Sequence, residues 1–329
     1  MTGTEPVIEI ANLAIATAGP GGATLVDDVS LHVDAGECLG IVGESGSGKS
    51  LTLRSVLGLL PPALVQTRGT MRFRGHDDKE LRSVGPRELR GHGVSMIFQE
   101  PMSSLNPTMR IGDLVAAGPR ARGVSRRDAA DQALRLLREV GVPQPEQRLR
   151  AWPHQLSGGL RQRVMIAMAL SVEPTLLLCD EPTTALDATV QDQILTLIER
   201  LRAERGLALI FVSHDLSVIS RIAGRTAVMY AGRIIEQGPT RALIDDPRHP
   251  YTRGLIESTS QLHGPPVRLK PIKGSPPAAG LLPSGCRFSP RCPRVADACR
   301  EADPPLLSIG PHRATACLLQ GPTNAGEQA

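Results

Sequence analysis

One motif near the start of the chain constrains its possible folds more than any other feature. Residues 43–50 read GESGSGKS, which fits the pattern G-x-x-x-x-G-K-[ST], and they lie between the apolar runs CLGIV and LTLRSVLGLL. A strand, a glycine-rich turn and a helix in this order surround phosphate oxygens with backbone N–H groups and the positive end of the helix. The motif therefore predicts an α/β fold that binds a nucleotide through its phosphates.

Each part of this phosphate loop has an expected task. We expect Gly43, Gly46 and Gly48 to adopt positive φ, so that the backbone turns its N–H groups inward. Lys49 is expected to contact the β- and γ-phosphates, and Ser50 to hold Mg²⁺. The predicted ATP-binding segment consists of Gly43, Glu44, Ser45, Gly46, Ser47, Gly48, Lys49, Ser50 and Leu51.

Two acidic residues at the end of a second apolar run suit chemistry at the γ-phosphate. The run TLLLCD at 175–180 has the length of a buried strand, and Glu181 follows it directly. Phosphoryl transfer needs an acidic ligand for the metal and a group that orients the attacking water. Asp180 is placed for the first task and Glu181 for the second. Acidic residues are also common at helix N-termini, so the pair points to catalysis only because the phosphate loop accompanies it.

Further apolar runs predict a buried parallel sheet with helices around it. VSMIF at 94–98 and ALIFVS at 208–213 have strand length, and the apolar residues between 190 and 201 recur at helical spacing before Gly206. TAVMY and RIIE are joined by Ala231-Gly232, which predicts a hairpin. The stretch from about 101 to 165 has amphipathic helical spacing and predicts a helical insertion.

The composition excludes several other classes of protein. The 329 residues are 41% hydrophobic and 21% charged, with a net charge of +4, as in an ordinary globular chain. No apolar run reaches the ~18 residues that a membrane-spanning helix needs. The first residues, MTGTEPVIEI, lack the pattern of a secretory signal, so we expect a cytoplasmic location. No run of Lys and Arg indicates nucleic-acid binding.

Three more motifs complete the pattern of one class of nucleotide hydrolase. Gln99 follows VSMIF, LSGG occupies 156–159, and His214 follows ALIFVS, with ALD at 185–187. Together they resemble the ATP-binding subunit of ABC transporters over about residues 5–245. The resemblance implies that Gln99 joins Ser50 and Asp180 around Mg²⁺, that His214 holds the γ-phosphate and orients the catalytic Glu181, and that Asp187 belongs to the D-loop.

The LSGG motif implies a dimer. Ser157, Gly158 and Gly159 precede the helical run RQRVMIAMALSV, so a hydroxyl, backbone N–H groups and a helix dipole can point at an anion. In the family that anion is the γ-phosphate bound to the opposing subunit, so two chains enclose two ATP molecules head to tail. A second ABC ATPase subunit is therefore an implied partner, and we expect it to be a distinct sibling.

The sequence departs from the family in two places. Leu160 follows LSGG where the family usually has Gln. The family also stacks an aromatic side chain on adenine about 25 residues before the phosphate loop. Here LAIATAGPGG lies at 13–22, and none of the seven aromatic residues precedes Phe73. Base stacking is worth ~1 to 3 kcal/mol, so we expect weaker adenine discrimination, tolerance of GTP, or a compensating contact.

Three segments resemble the dipeptide and oligopeptide importer branch. They are EPMSSLNPTMRIG at 100–112, LSGGLRQRVMIAMAL at 156–170 and DDPRHPYTRGL at 245–255. The resemblance implies two transmembrane permease subunits, an extracellular substrate-binding protein and a place on the cytoplasmic face of the membrane. Importers of nickel or another small solute share much of the pattern and remain an alternative. A soluble ABC ATPase that acts on nucleic acid or ribosomes is disfavoured by the single LSGG and the lack of heptads.

The last part of the chain has a different composition. Twelve of the 28 prolines and four of the six cysteines lie in the last 65 residues, which argues against regular helices or central strands. We therefore divide the chain into an ATPase domain, 1–250, and a loop-rich C-terminal region, 251–329, with a disordered end after about Pro322. Cys38 and Cys179 lie in apolar runs and are expected to be core residues.

Four cysteines in this region suggest a metal site. Disulfides are disfavoured in the cytoplasm, and four thiolates in a core-poor segment suggest a metal that replaces a hydrophobic core. CRFSPRCPRVADAC and RATAC resemble the C-terminal region of peptide-importer ATPases, which in some members binds a [4Fe–4S] cluster. Zn²⁺ and buried thiols remain alternatives. Histidines 249, 263 and 312 are expected to be solvated. The expected ligands are Cys286, Cys292, Cys299 and Cys317.

Overall fold

The computed structural model describes residues 6–74, 82–83, 85, 89–90, 93–100, 104–184, 186–258 and 271–320. These residues divide into two compact units that are interleaved along the chain. The first unit draws on residues 1–8, 33–37 and 72–210, and the second on residues 9–32, 38–71 and 211–329. The chain passes from the first unit to the second within a strand at 210–211.

The first unit contains a pair of parallel strands, β6 (Val94–Ile97) and β7 (Leu176–Asp180). Val94 is opposite Leu176 and Ile97 is opposite Cys179. Every residue of β7 is buried, as expected for a parallel strand covered on both faces. The short strand β5 (Arg82–Ser83) pairs with the end of β4 (Leu64–Phe73). The apolar runs at 94–98 and 175–180 are thus strands, as predicted.

Five helices of the same unit lie within the described residues, and two of them have a side-chain N-cap. The longest, α6, begins after Asp187, which accepts a hydrogen bond from the Val190 N–H, and ends at Gly206, which has a φ of 64°. Ser125 caps α3 in the same way through the Asp128 N–H. Three of the five lie within the stretch 101–165 where a helical insertion was predicted, α5 begins there, and α6 covers the predicted helical spacing at 190–201. The helices are α2 (Ile111–Ala121), α3 (Arg126–Glu139), α4 (Pro145–Arg148), α5 (Gly158–Leu170) and α6 (Ala188–Arg205).

The second unit contains a mixed sheet whose strands run in the order β11-β12-β10-β9-β3. Strand β3 is parallel to β9, and β9 forms an antiparallel hairpin with β10. Ala231 and Gly232 have φ values of 44° and 85°, which is the left-handed backbone that a tight hairpin turn requires. The predicted hairpin is confirmed. The strands are β3 (Cys38–Val42), β9 (Arg225–Tyr230), β10 (Arg233–Pro239), β11 (Leu307–Gly310) and β12 (Arg313–Thr315).

Most of a second sheet also belongs to this unit. Strand β1 (Pro6–Thr17) lies between β2 (Thr24–Asp34) and β4. The part of this unit that precedes residue 259 also contains helices α1 (Lys49–Val56), α7 (Leu216–Ile222), α8 (Thr240–Asp245) and α9 (Pro250–Ser258).

The C-terminal region contributes two strands to the sheet of the second unit. Glu236 of β10 is opposite Thr315 of β12, and Leu307 of β11 is opposite the same threonine. Neither strand contains proline, which explains how they form in a proline-rich region. The remainder of 271–320 consists of turns, two 3₁₀ turns at 289–291 and 318–320, and the helix α10 (Ala298–Glu301). The expected disorder after Pro322 concerns residues outside the described ranges.

Both strand cysteines are buried. Cys38 is 1% exposed in β3 and Cys179 is 0% exposed in β7, which confirms that they are core residues. In the parts of the chain that the structure describes, no helix has both the length and the apolar character needed to cross a membrane.

Candidate active site

The phosphate loop connects β3 to α1, in the predicted order. Gly48 caps α1 with a φ of 101°, and Gly46 has a φ of 79°, so both need the freedom of glycine. The prediction of positive φ is wrong for Gly43, which is absent from the residues with that backbone. Gly43 is required for space instead, because a Cβ atom there would lie 2.2 Å from the carbonyl oxygen of Met229.

Polar groups of the loop are gathered as an anion site requires. Lys49 Nζ donates hydrogen bonds to the carbonyl oxygens of Gly43, at 2.7 Å, and Glu44, at 2.9 Å. The lysine is only 4% exposed. The buried hydroxyl of Ser47 has no hydrogen-bond partner among the described residues. An ammonium group, an unsatisfied hydroxyl and the start of α1 together fit a bound polyphosphate.

Residues from the C-terminal third of the chain hold the phosphate loop in place. The Glu44 N–H donates to Tyr251 Oη at 2.8 Å, and the Glu44 carboxylate pairs with Arg291. The Gly232 N–H donates to the carbonyl oxygen of Ser47 at 3.0 Å. No sequence pattern predicts these contacts, although Tyr251 lies in the importer-like segment 245–255 and Arg291 in the cysteine-containing segment CRFSPRC.

In the first unit, Gln99 and Glu181 meet at the ends of neighbouring strands. Gln99 lies two residues after β6 and Glu181 directly after β7, so the parallel pairing of β6 and β7 brings them to one edge. Gln99 Nε2 donates to Glu181 Oε2 at 3.2 Å, and Thr184 Oγ1 donates to the same oxygen at 3.0 Å. Glu181 has a φ of 47°, a strained conformation for a residue other than glycine. Asp180, at the end of β7, is fully buried.

The LSGG motif precedes α5 and is largely open to solvent. Ser157 has the extended backbone of a capping residue, but its side chain makes no capping hydrogen bond within the described residues. Ser157 and Gly158 are exposed. A Cβ atom on Gly159 would lie 2.7 Å from Val190 Cγ1, so this glycine permits close packing against α6.

The remaining motif residues lie at helix starts. Asp187 caps α6, as described above, and Ala185 of the ALD motif lies outside the described residues. His214 is exposed at the end of β8 (Ala208–Ser213), and Asp215 beside it caps α7 through the Ser217 N–H at 2.8 Å. His214 and the phosphate loop thus belong to the second unit, whereas Gln99, Asp180, Glu181 and LSGG belong to the first.

The segment where the family places its adenine-stacking residue is a compact turn. The Thr17 N–H donates to the Ala23 carbonyl at 3.0 Å, and Thr17 Oγ1 accepts from the Ala23 N–H at 2.8 Å. The hydroxyl of Thr17 is therefore occupied in closing the turn. Ala18 is exposed beside it.

The four C-terminal cysteines line a single small cavity, with a volume of about 10 Å³. The Arg294 N–H donates to Cys292 Sγ at 3.4 Å. Burial raises the pKa of Cys286 to about 11, although a hydrogen bond from the Phe288 N–H opposes this effect. Burial likewise raises the pKa of Cys317, against a hydrogen bond from the Leu319 N–H.

The described side chains around this cavity do not show the arrangement of a metal site. Among the described residues, no three or more His, Cys, Asp or Glu side chains form a group that could hold a metal ion. The expected metal-binding character of the C-terminal region is therefore not supported by the arrangement of its side chains. What the structure provides is a shared cavity with backbone N–H groups directed at three of its four sulfur atoms.

His249 lines the same cavity, and the prediction that it is solvated is wrong. It is 2% exposed, and burial lowers its pKa to about 3. Its backbone N–H donates to Glu236 Oε2 at 2.8 Å, and its Nδ1 accepts from the Tyr251 N–H at 3.0 Å. The buried Glu236 carboxylate draws this segment inward, which a sequence pattern does not reveal. His312 is exposed, and His263 lies outside the described residues.

Comparison with known proteins identifies two matched regions. Residues 26–184 match the ABC transporter family. Residues 235–299 match the family described as oligopeptide/dipeptide transporter, C-terminal region. The second match includes Tyr251, Arg291 and three of the four C-terminal cysteines.

Relatives and solved structures agree with these matches. A peptide import ATP-binding protein of Brucella melitensis is 43% identical over 328 residues, which cover 95% of this chain and 97% of that protein. One of Brucella abortus is 42% identical over 97% of each chain. CbiO1 of Clostridium perfringens, part of an ABC transporter complex, shares the fold with a TM-score of 0.62 and 24% identity over 74% of this chain and 92% of that chain.

A second solved structure is a dimeric ATP-binding cassette in a post-hydrolysis state, bound to ADP and Pi. It has a TM-score of 0.60 and 26% identity, and the match covers 71% of this chain and 99% of that chain. The α/β fold predicted from the phosphate loop is thus the fold of ABC ATPases. The chain belongs to the ABC transporter family, in its group of peptide import ATP-binding proteins.

Proposed function

We propose that this chain binds and hydrolyses ATP to drive the uptake of di- or oligopeptides through separate membrane subunits. The observation that carries the proposal is the phosphate loop, in which the Lys49 ammonium group and the unsatisfied Ser47 hydroxyl are held at the start of α1. The match of residues 235–299 to a transporter region named for oligopeptides and dipeptides supports the substrate class.

Each residue of the phosphate loop has a role in holding ATP. Lys49 exchanges its bonds to the Gly43 and Glu44 carbonyls for bonds to the β- and γ-phosphates. The segment from Gly43 to Leu51 supplies backbone N–H groups, and Ser50 binds Mg²⁺ together with Gln99 and Asp180. When bound, Mg²⁺ neutralises charge on the phosphate oxygens.

Glu181 orients the attacking water and accepts its proton. The hydrogen bonds from Gln99 and from Thr184 both go to Oε2 of Glu181. An amide has its donor and its acceptor on different atoms. Gln99 can therefore keep Nε2 on Glu181 while its oxygen faces the metal, which couples the metal to the carboxylate. His214 holds the γ-phosphate and helps to orient Glu181.

A second ATPase subunit, a distinct sibling, completes the site. The exposed Ser157 and Gly158, with Gly159 behind them, form a donor-rich surface before α5 that binds the γ-phosphate of the opposing subunit. Asp187 lies in the D-loop of the same interface. Two permease subunits and an extracellular substrate-binding protein complete the importer, which places this chain on the cytoplasmic face of the membrane.

The function is tested by Glu181→Gln in the reconstituted transporter. We expect steady-state ATP hydrolysis and peptide uptake to fall by about 100-fold or more, because the group that accepts the proton is lost, while nucleotide binding persists. Glu204→Gln, which neutralises an exposed carboxylate paired with Arg200, is the matched control. Hydrolysis that continues unchanged in Glu181→Gln would contradict the assignment. If the transporter takes up nickel and not peptides, the assignment as an ATPase stands but the assignment of peptides as the substrate is wrong.

We also propose that Cys286, Cys292, Cys299 and Cys317 hold a [4Fe–4S] cluster. The four cysteines line one cavity, and their segment resembles the C-terminal region of peptide-importer ATPases, which in some members binds such a cluster. Backbone N–H groups directed at thiolate sulfur are a usual means of tuning such clusters. The cluster would crosslink a region that has few large apolar residues. Zn²⁺ at the same four cysteines is the alternative.

Metal analysis tests the cluster. We expect protein purified anaerobically to contain about four iron and four sulfide per chain, with a broad visible absorption that Cys299→Ser abolishes. Cys38→Ala, which alters a buried strand cysteine, should keep both. Colourless protein that contains zinc, or no metal at all, would refute the cluster.

A further inference from the structure

The Glu44 side chain of the phosphate loop forms a bidentate ion pair with Arg291 of the C-terminal region. Nη1 of Arg291 lies 2.9 Å from Glu44 Oε2, and Nη2 lies 3.1 Å from Glu44 Oε1. The Arg291 side chain is 5% exposed and that of Glu44 is 24% exposed. Two parallel charge-assisted hydrogen bonds between planar groups fix both distance and orientation. The pair therefore anchors the second residue of the phosphate loop.

Arg291 is itself held in place by its surroundings. Its Nε donates to the Lys273 carbonyl at 3.0 Å, and Nη1 also reaches Tyr230 Oη at 3.3 Å. Its guanidinium carbon lies 5.7 Å from the Tyr230 ring centroid and 5.9 Å from that of Phe288. A guanidinium group fixed at Nε and stacked near two rings loses little further freedom when it binds a carboxylate. Arg291 is thus a preorganised partner for Glu44.

The aromatic residues around Arg291 reach the loop backbone. Phe288 packs against Tyr251 with ring centroids 5.5 Å apart, and Tyr251 packs against Tyr230 at 4.6 Å. Tyr251 Oη accepts the Glu44 N–H at 2.8 Å. Glu44 is therefore held at its side chain by Arg291 and at its backbone by Tyr251.

A second arginine of the same segment braces the loop by another route. Arg287 Nη1 donates to the Ala231 carbonyl at 2.7 Å, in the β9–β10 turn. The next residue in that turn, Gly232, donates its N–H to the Ser47 carbonyl at 3.0 Å. Arg287 also pairs with Asp27, and its side chain is 8% exposed. Both arginines lie within residues 286–292, which we call the brace segment.

The charge of Glu44 gives the ion pair a consequence for nucleotide binding. An unpaired carboxylate in a loop that binds phosphates would repel them, and the repulsion would be strong where little water screens it. Arg291 neutralises that carboxylate and turns it toward the brace segment. Loss of Arg291 would therefore release the loop and also expose a repulsive charge.

We propose that the brace segment positions the phosphate loop for ATP, with Arg291 as a positioning residue that acts through Glu44. The proposal rests on the proposed binding of ATP at this loop. The C-terminal region is then part of the nucleotide site, and the affinity for ATP depends on the C-terminal region being intact.

The test is a double-mutant cycle read out by ATP binding and steady-state kinetics in the assembled transporter. We expect Arg291→Met to raise the Kd and KM for ATP by about tenfold, the size of a lost charge-assisted hydrogen bond, with little change in kcat. Adding Glu44→Gln to Arg291→Met should recover the part of this loss that comes from the unpaired Glu44 charge, while the part that comes from the released loop remains. A merely structural arginine would not be rescued in this way. A double variant that binds ATP no better than Arg291→Met overturns the proposal.

Two controls separate this proposal from the proposed function. Arg294→Met removes a nearby exposed arginine and should leave the Kd for ATP unchanged. Lys49→Ala should abolish ATP binding, and if ATP still binds, the proposed function fails. If Lys49→Ala abolishes ATP binding but Arg291→Met binds ATP as tightly as the wild type, only the proposed role of the brace segment is refuted. If Arg291→Met does not fold, Tyr251→Phe decides instead, since it removes only the hydroxyl that accepts the Glu44 N–H. Unchanged ATP affinity in Tyr251→Phe would then count against the brace.

Discussion

Gln99 Nε2 donates a hydrogen bond to Glu181 Oε2 at 3.2 Å, across the ends of two parallel strands. The bond links the residue proposed to contact the metal with the residue proposed to activate water. Thr184 donates to the same oxygen, so the carboxylate is oriented from two directions. Glu181 also has a strained φ, a conformation that is kept only where the surrounding structure holds the residue in place.

The first prediction concerns the orientation of Glu181. Gln99→Ala removes one of the two donors and a proposed metal ligand, so we expect kcat for ATP hydrolysis to fall by about 10 to 100-fold. Thr184→Val removes the other donor but no metal ligand, and its loss should be smaller. Steady-state kinetics of the two variants measures the difference. Equal losses in both variants would contradict a metal-linked role for Gln99.

The second prediction separates two reasons for glycine in the phosphate loop. A Cβ atom on Gly43 would meet the Met229 carbonyl oxygen, whereas one on Gly46 would meet no atom within 4 Å. Gly43→Ala should therefore lower the free energy of unfolding by about 2 to 3 kcal/mol, because backbone must shift. Gly46→Ala should cost about 1 to 2 kcal/mol, from backbone strain alone. Thermal and denaturant unfolding of both variants tests the order, and a more destabilised Gly46→Ala would reverse the argument.

The third prediction concerns the choice of base. With Thr17 closing a turn and Ala18 exposed beside it, the described N-terminal turn provides no aromatic ring for adenine. We expect the Kd values for ATP and GTP to lie within about tenfold of each other, since a stacked base contributes ~1 to 3 kcal/mol. Ala18→Tyr should tighten the binding of both nucleotides. A wild-type preference for ATP over GTP of more than 100-fold would show that another contact distinguishes adenine from guanine.

The sequence patterns that predicted the fold correctly are local. The apolar run at 38–42 and the glycines after it define a strand, a loop and a helix within about 20 residues, and Gly206 ends α6 as predicted. The errors have a common cause. Position 43 must be glycine because the Met229 carbonyl oxygen leaves no room for a Cβ atom, and His249 is buried where its N–H donates to Glu236. Each residue therefore depends on a partner far along the chain or on another strand.

The same limit explains why the brace segment was not predicted. Glu44 and Arg291 are 247 positions apart, and no periodicity or spacing connects residues at that distance. The phosphate loop and the CRFSPRC segment are each recognisable in the sequence, but nothing in the sequence connects them. Only the fold brings them together, within the second unit.

The last prediction concerns the network that anchors Arg287. Arg287 and Arg233 both pair with Asp27 and with Asp303. Burial alone would raise the pKa of Asp27, but the surrounding arginines, with Arg233 and Arg287 foremost, hold it below its usual value. Because the folded pKa is the lower one, Asp27 stabilises the fold above the pKa of the unfolded chain. That stabilisation is lost as the pH falls through the folded value.

Asp27→Asn should therefore lower the free energy of unfolding at pH 7 by about 1 to 2 kcal/mol, a charge-assisted hydrogen bond reduced for partial exposure. The difference between the variant and the wild type should shrink as the pH falls below about 4, because Asp27 is then protonated in the unfolded chain and, as the pH falls further, in the folded protein as well. Asp28→Asn, at a neighbouring and more exposed carboxylate, is the control and should change stability little. Urea unfolding from pH 7 to pH 3 measures all three proteins. A difference that stays constant across this range would show that Asp27 acts through packing, and the contribution of its charge to holding Arg287 against the β9–β10 turn would be disproved.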